Sequence, residues 1–541
     1  MKRLINFFNY KYAGVACILI AIINRSINLL FFSYTGRDKM VVLLQSKSFL
    51  EGKGFSVPQY FINQLDNPVY DYTQLWPPGY SLFIAPFLKI FNYNIYWATS
   101  MFDIVVGIAL IFTVRKICKQ IGLPIIATNI MTLIAGCFEY PFTNQSMPTD
   151  TVSLLFVLLG ISFSLKVIAA KAFSLKQICA TGFLLFLPCL FRYAYPPVSI
   201  SIAGMIFLYG WVMKDKLLLK KGYWLSALVA LLIVTLFISL KFSTGQAGYI
   251  TETERGYFTE NLVHWYPAIP NSFIDLPFFT MQVLRLTGIN LSNQYLVLEA
   301  INIILVLVLT VLFFHFLIIK KTFREINSFK WLLLWAWVCS ALIFFSLGWL
   351  SFTNQVQRGY IGNWNYVYEA RYFGLVMLFL QIIYLGWVFL NPSWQKSWWQ
   401  KTIIIFCAFL LFVEVVHGIY FNTKMALNFR ENKAKIYREQ DYNYFLCLLP
   451  KLEKEYPGYE ILATASNDDF YACAAAYFGK KGIFDCASLK TSLPKVKIKS
   501  LLLVILYDTD IKDYQNIVAN PNAREIQEID YTNFFLVKLF P

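Results

Sequence analysis

The sequence predicts an all-α polytopic membrane protein with a small α/β domain at its C-terminal end. Three observations carry that reading. First, 58% of the residues are hydrophobic, 14% are charged, and mean hydropathy is +0.54. A soluble chain of 541 residues cannot hide so much apolar surface, whereas a bilayer replaces the missing core. Second, apolar runs of spanning length recur about eleven times. Third, composition changes beyond residue 420, where charge returns and short alternating runs replace long apolar ones.

The apolar runs fall at 14–33, 95–114, 123–140, 150–168, 176–193, 196–213, 223–241, 295–318, 331–350, 370–390 and 402–420. The first is too long for a signal-peptide core and no small-residue cleavage site follows it, so it reads as a retained helix despite Asn24 and Arg25. The stretch Tyr80–Phe91, behind Pro77-Pro78, is too short to span and reads as a half-buried or re-entrant helix.

Loop charge sets the orientation. Lys2/Arg3/Lys11, Arg115/Lys116/Lys119, Lys166/Lys171/Lys176, Lys214/Lys216/Lys220/Lys221, Lys320/Lys321/Arg324/Lys330 and Lys396/Lys401 lie on one set of loops, with Asp215 and Glu325 the few acids among them. The positive-inside rule makes that set cytoplasmic. The N-terminus is then inside, and the loops at 34–94, 141–149, 242–294 and 351–369 and the C-terminal residues are outside. The expected location is a bacterial plasma (inner) membrane.

The expected domains are 1–420, transmembrane with its outer loops, and 421–541, soluble. In the latter, Tyr459–Thr464, Leu501–Tyr507 and Phe534–Leu539 read as strands, and Asp468–Phe478 and Asp510–Ala519 as helices. No nucleotide loop or catalytic motif marks this module, which reads as a lid or docking domain. The net charge of +16 sits in short loops without a longer basic tract, so no nucleic-acid partner is expected. The cysteines form no Cys-x-x-Cys, although Cys473 and Cys486 could pair in an extracytoplasmic domain, and the three His are too scattered for a zinc site.

Charge near a bilayer is expensive, so each instance is a candidate site. Asp38 begins a stretch, Lys39–Leu50, whose Met40, Val41, Leu44, Phe49 and Leu50 suggest a helix lying on the outer surface. Asp150, behind Pro148, opens the fourth span on the same face. Each Asp could be a helix N-cap or a catalytic carboxylate. Together they could divide proton abstraction from acceptor orientation, or share a metal. Arg192 ends the fifth span and Arg371 begins the tenth. Guanidinium groups at that depth suit a lipid-linked phosphate, or else snorkel to headgroups or pair with Glu369. Asp103, Glu299 and Glu414 lie within spans on separate helices and read as structural.

These residues in this order resemble the GT-C superfamily of membrane glycosyltransferases, in its protein O-mannosyltransferase-like and lipid A aminoarabinose transferase-like branch. The resemblance rests on Asp38 after the first span, Gly52-Lys53-Gly54, Trp76-Pro77-Pro78-Gly79-Tyr80 leading into a short helix, Asp150, Arg192 and Arg371-Tyr372. It covers roughly residues 1–420 as an ordered set of motifs. One departure is Lys39, where members often carry an acid after the first Asp.

The resemblance implies transfer of a sugar from a polyprenyl monophosphate to an acceptor hydroxyl at the outer face, with inversion. The acceptor could be lipid, glycan or protein. It implies Asp38 as base, Asp150 as its helper or the acceptor-orienting group, Arg371 and then Arg192 on the donor phosphate, and Arg37, Trp76, Tyr80 and Tyr372 around the cavity. No cofactor is required by this chemistry, with a divalent metal the open alternative. The rivals are a polymerase or ligase using a lipid diphosphate, a lipid or solute transporter, and a non-catalytic scaffold. A transporter would need a polar path across the membrane and often repeated halves, whereas these candidates gather on one face.

Overall fold

Long apolar stretches become helices because lipid offers no partner for an open backbone group. The computed structural model describes residues 12–31, 37–61, 65–71, 77–138, 148–244, 304, 311, 327–353, 374–390, 397–431, 441–465, 469–483, 500–507, 515, 519, 521–529 and 532–538. The helices are α1 (Ala13–Phe31), α2 (Arg37–Leu50), α3 (Gly79–Ile90), α4 (Ile95–Gln120), α5 (Ile125–Cys137), α6 (Pro148–Ala169), α7 (Leu175–Phe186), α8 (Pro196–Val212), α9 (Lys216–Thr244), α10 (Ser328–Thr353), α11 (Gly374–Leu390), α12 (Trp398–Glu431), α13 (Asp441–Glu455) and α14 (Asp469–Tyr477). The strands are β1 (Val57–Gln59), β2 (Val69–Asp71), β3 (Glu460–Ala465), β4 (Lys481–Ile483), β5 (Ser500–Tyr507), β6 (Ala523–Ile529) and β7 (Thr532–Lys538). The protein is thus a largely helical integral membrane protein with a small sheet domain near its C-terminal end.

Among the described residues, four helices are long and apolar enough to cross a membrane: those over Ile95–Gln120, Thr149–Ala169, Lys216–Ser243 and Trp398–Lys424. Shorter apolar helices cover the other predicted runs except that at 295–318, and the Tyr80–Phe91 stretch. The predicted run at 295–318 and the helix-like stretch 510–519 lie outside the described residues apart from isolated positions.

The chain divides into two compact units. The first comprises Met1–Leu29, Asp103–Asn144 and Thr149–Lys424. In it α8 packs on α9 and α10, α9 on α7, and α11 on α10 and α5. Close approaches need glycine at specific points: a Cβ at Gly418 would strike the Cys137 carbonyl, and one at Gly107 would strike the Arg25 side chain. Asn24 and Arg25 donate to the carbonyls of Gly136 and Ala135, each at 3.2 Å. The polar pair in the first span therefore satisfies orphan carbonyls at the end of α5, and Asp103 lies near enough to act electrostatically on Arg25.

The second unit comprises Leu30–Phe102, Gln145–Pro148 and Met425–Pro541. Its sheet runs β4-β3-β5-β7-β6. β3 is parallel to β4 and β5, and β7 is antiparallel to β5 and β6. Helix α14 connects β3 to β4 and packs on both. Strands β1 and β2 form a small antiparallel hairpin, and Tyr60, just past β1, bridges in parallel to Ile483 of β4.

Helix α2 forms over the predicted stretch and is enclosed by protein along most of its length. Met40, Val41, Val42, Leu43 and Leu44 are buried, and so are Lys39, Gln45, Ser46 and Ser48. The helix is enclosed because α3 packs on one side of it and α14 on another. Its end is set by Gly52, at φ +78°: Lys53 N–H donates to the Ser48 carbonyl at 2.9 Å and Gly52 N–H to the Phe49 carbonyl at 3.1 Å. This is the Schellman pattern, which needs a left-handed residue that glycine supplies without strain. Gly54 also has positive φ, and the Phe49 and Phe55 rings stack at 4.6 Å.

Candidate functional site

Helix α6 starts at Pro148, which suits a first turn whose N–H groups have no helical partner. Asp150 lies within that first turn, where the helix dipole favours an anion. Its carboxylate faces a specific cation. Helix α7 tightens into a 3-10 turn at Leu187–Leu190, containing Pro188, and Arg192 N–H then donates to the Pro188 carbonyl at 3.1 Å. Phe191 is wholly buried and stacks on Phe156 of α6 with centroids 5.5 Å apart. This anchor brings Arg192 back to the start of α6.

There Nη2 of Arg192 donates to Oδ2 of Asp150 at 2.9 Å, and its Nε faces Oδ1. The pair is bidentate, and both residues are 7% exposed. The buried setting strengthens the attraction between the two charges. Asp150, Arg192 and Cys339 of α10 all act electrostatically on the Tyr195 phenol. Tyr195 precedes α8 and is tied to Arg192 by its own N–H at 3.3 Å from the Arg192 carbonyl. The α10 contribution is held by Trp335, whose Nε1 donates to the Ile202 carbonyl at 3.2 Å, and by a 3.7 Å contact between Ser201 Oγ and Cys339 Sγ.

The other sequence candidates fall differently. Arg37 and Asp38 are in the first turn of α2, with their side chains outside the described set. Tyr80 is wholly buried in α3, edge-on to Phe102 at 5.3 Å. Trp76, Arg371, Tyr372 and Glu299 lie outside the described residues, as does Cys486. The structure therefore brings Asp150 and Arg192 together in the first unit, while Asp38 and Tyr80 belong to the second. Tyr195 was not singled out from the sequence: one Tyr among 34 carries no local signal. Among the described residues, no group of three or more His, Cys, Asp or Glu is placed to hold a metal ion.

The fold is shared with solved structures of ArnT. No family model and no curated protein matches the sequence; the likeness is to solved structures. The crystal structure of ArnT from Cupriavidus metallidurans in the apo state aligns with a TM-score of 0.56 at 11% identity, covering 96% of this chain and 97% of that one. ArnT from the same organism bound to undecaprenyl phosphate aligns with a TM-score of 0.55 at 10% identity, covering 97% and 98%. At such identity the likeness is one of fold, and it runs nearly end to end.

Proposed function

We propose that this protein is a glycosyltransferase that moves a sugar from a polyprenyl monophosphate to an acceptor hydroxyl at the extracytoplasmic face of a bacterial plasma membrane. The observation that carries the reading is the near end-to-end fold match to a protein crystallised with undecaprenyl phosphate. The ordered motifs from Asp38 to Arg371 support it, and the basic loops argue for an N-terminus inside and the C-terminal module outside.

A hydroxyl is a weak nucleophile near neutral pH, so a carboxylate that accepts its proton helps. Asp38 takes that proton as the acceptor oxygen bonds to the anomeric carbon. The bond from that carbon to the phosphate oxygen breaks on the opposite side, which inverts the configuration. The electron pair leaves with the polyprenyl phosphate, whose developing charge needs cations. Arg371 is assigned that role first. Arg192 is placed second, because its charge is already matched by Asp150. The pair is then assigned to orienting the acceptor. Arg37, Trp76 and Tyr372 are assigned to the cavity around the substrates, whereas Tyr80, wholly buried against Phe102, is a packing residue. No organic cofactor is needed, and chelation of divalent cations tests for a metal requirement.

The test uses purified full-length protein in lipid nanodiscs with polyprenyl-phosphate sugars as donors. Asp38→Asn should lower transfer by about 10³-fold while the protein still inserts and folds. Arg371→Ala should impair donor use more than acceptor use. Transfer retained in Asp38→Asn removes Asp38 as the base. Turnover of lipid-diphosphate donors alone would favour the polymerase or ligase reading instead.

A further inference from the structure

Tyr477 stands where three segments of the second unit meet. It is the last residue of α14 and is 3% exposed. Its phenol donates to the carbonyl of Tyr93 at 3.0 Å, across 384 positions of sequence. Its own carbonyl accepts from Nζ of Lys47 on α2, across 430 positions. The same Nζ lies over the Tyr477 ring, 5.3 Å from its centroid. One side chain thus grips the turn between α3 and α4, and one residue as a whole anchors α2.

Each contact meets a need. The last carbonyls of a helix lack helical donors, and the helix dipole places negative character there. α14 closes on Gly479, at φ +74°, with Lys480 N–H donating to the Ala475 carbonyl and Gly479 N–H to Ala476. The Tyr477 carbonyl is left to an outside donor, and Lys47 supplies a cation. Tyr93 is a bulky residue at φ +61°, next to Asn92 at +49°. Left-handed conformations are unfavourable for such residues unless the surroundings hold them. The phenol of Tyr477 is one of the things holding this one. Burial, and then the neighbouring Tyr93, push that phenol well above its ordinary value, so it remains a donor.

Further ties join the same segments. Tyr60 N–H donates to the Gly482 carbonyl at 3.4 Å, extending the β4 edge of the sheet. Lys481 pairs with Asp66 at 3.2 Å and Glu460 at 2.8 Å. α14 carries Ala472, Cys473, Ala474, Ala475 and Ala476, all buried, small side chains all round a helix that packs on α2, β3 and β4.

We infer that the C-terminal module is a positioning clamp for the helix that carries Asp38, and that Tyr477, with Lys47, is its positioning residue. The inference rests on the proposal that Asp38 is the base. A displaced α2 would move the base relative to the acceptor, and misplacements of about 1 Å cost roughly 10²-fold in well-oriented reactions.

The experiment uses the full-length protein in nanodiscs and the variants Tyr477→Phe, Lys47→Met and Lys47→Arg. Amide hydrogen exchange is followed over 40–50 and 88–95, with 150–165 as an internal reference. Tyr477→Phe and Lys47→Met should each raise exchange in the first two segments by about five-fold and leave the reference unchanged. Each should lower kcat by about ten-fold with KM within about two-fold, and Lys47→Arg should recover most of the loss. Unchanged exchange over 40–50 in both variants overturns the clamp. Raised exchange with unchanged kcat overturns the positioning role. Should Tyr477→Phe fail to accumulate, Lys47→Met carries the same test. The exchange arm is independent of chemistry, so loss of the Asp38 reading through Asp38→Asn would be distinguished from loss of the clamp.

Discussion

Arg192 in the first unit and Lys47 in the second are both cations drawn out of water, and they are satisfied in opposite ways. Arg192 meets a full opposite charge, Asp150, through two contacts. Lys47 meets a backbone carbonyl and an aromatic face, with Glu51 3.9 Å away. Burial lowers the Lys47 ammonium below its ordinary value, opposed by Glu51 and assisted by Lys53. The first arrangement neutralises at close range; the second relies chiefly on a neutral carbonyl and a ring, with a longer, more exposed ion pair to Glu51. Removing one member of a buried ion pair strands a charge, whereas removing a lysine from a carbonyl strands only a neutral acceptor.

The largest effect should therefore come from the pair. Asp150→Asn should destabilise the protein by about 3–5 kcal/mol, seen as a lower unfolding midpoint in detergent. The double variant Asp150→Leu/Arg192→Met should recover most of that loss. If the single variant is as stable as the parent, the pair is not the electrostatic anchor of the α6 start. If the double variant is as unstable as the single, packing rather than charge explains the loss. Lys47→Met should be milder, about 1–2 kcal/mol in the same measurement, apart from its effect on turnover.

The smallest effect concerns pH. Burial lowers Lys481, but hydrogen bonds and charge from Glu460 and Asp66 together outweigh it and leave the ammonium above its ordinary 10.5. A raised folded value means the contribution is fully present below about 10.5 and is lost as pH rises through the folded value. Asp66 is 86% exposed, so the tie is worth under about 1 kcal/mol. Denaturant midpoints of the parent and Lys481→Met should differ at pH 9 and converge as pH rises past the raised folded value of Lys481. A difference that persists at high pH would assign the effect to packing.

Much of this architecture was readable as sequence because apolar runs of spanning length have few other homes. The helices at Ala13–Phe31, Ile95–Gln120 and Pro148–Ala169 coincide with predicted runs, as do strands β3, β5 and β7. The failures have physical causes. The enclosure of α2 is not legible in the sequence because its Lys39, Gln45 and Ser46 resemble a solvent face, and only tertiary packing buries them. β6, Ala-Arg-Glu-Ile-Gln-Glu-Ile, was missed because its charges suit a sheet edge, where it lies. α13 was missed because Pro450 interrupts it. Asp150 and Arg192 were each singled out, but their pairing was not, because 42 positions separate them and nothing local links them. Tyr477 and Lys47 carried no signal, since a helix-end carbonyl is invisible until the chain folds.

The bridge from Lys47 to Tyr477 also sets a clock. At translation rates of about 5–20 residues per second, the 430 positions between them take roughly 20–90 s to synthesise. Through that interval α2 has already been made and its partner has not. Most of the spanning helices are inserted before the contact can form at all. The helix bearing Asp38 is thus completed by one of the later parts of the chain to appear, so a molecule interrupted before Tyr477 would carry the acid without the brace that holds its helix.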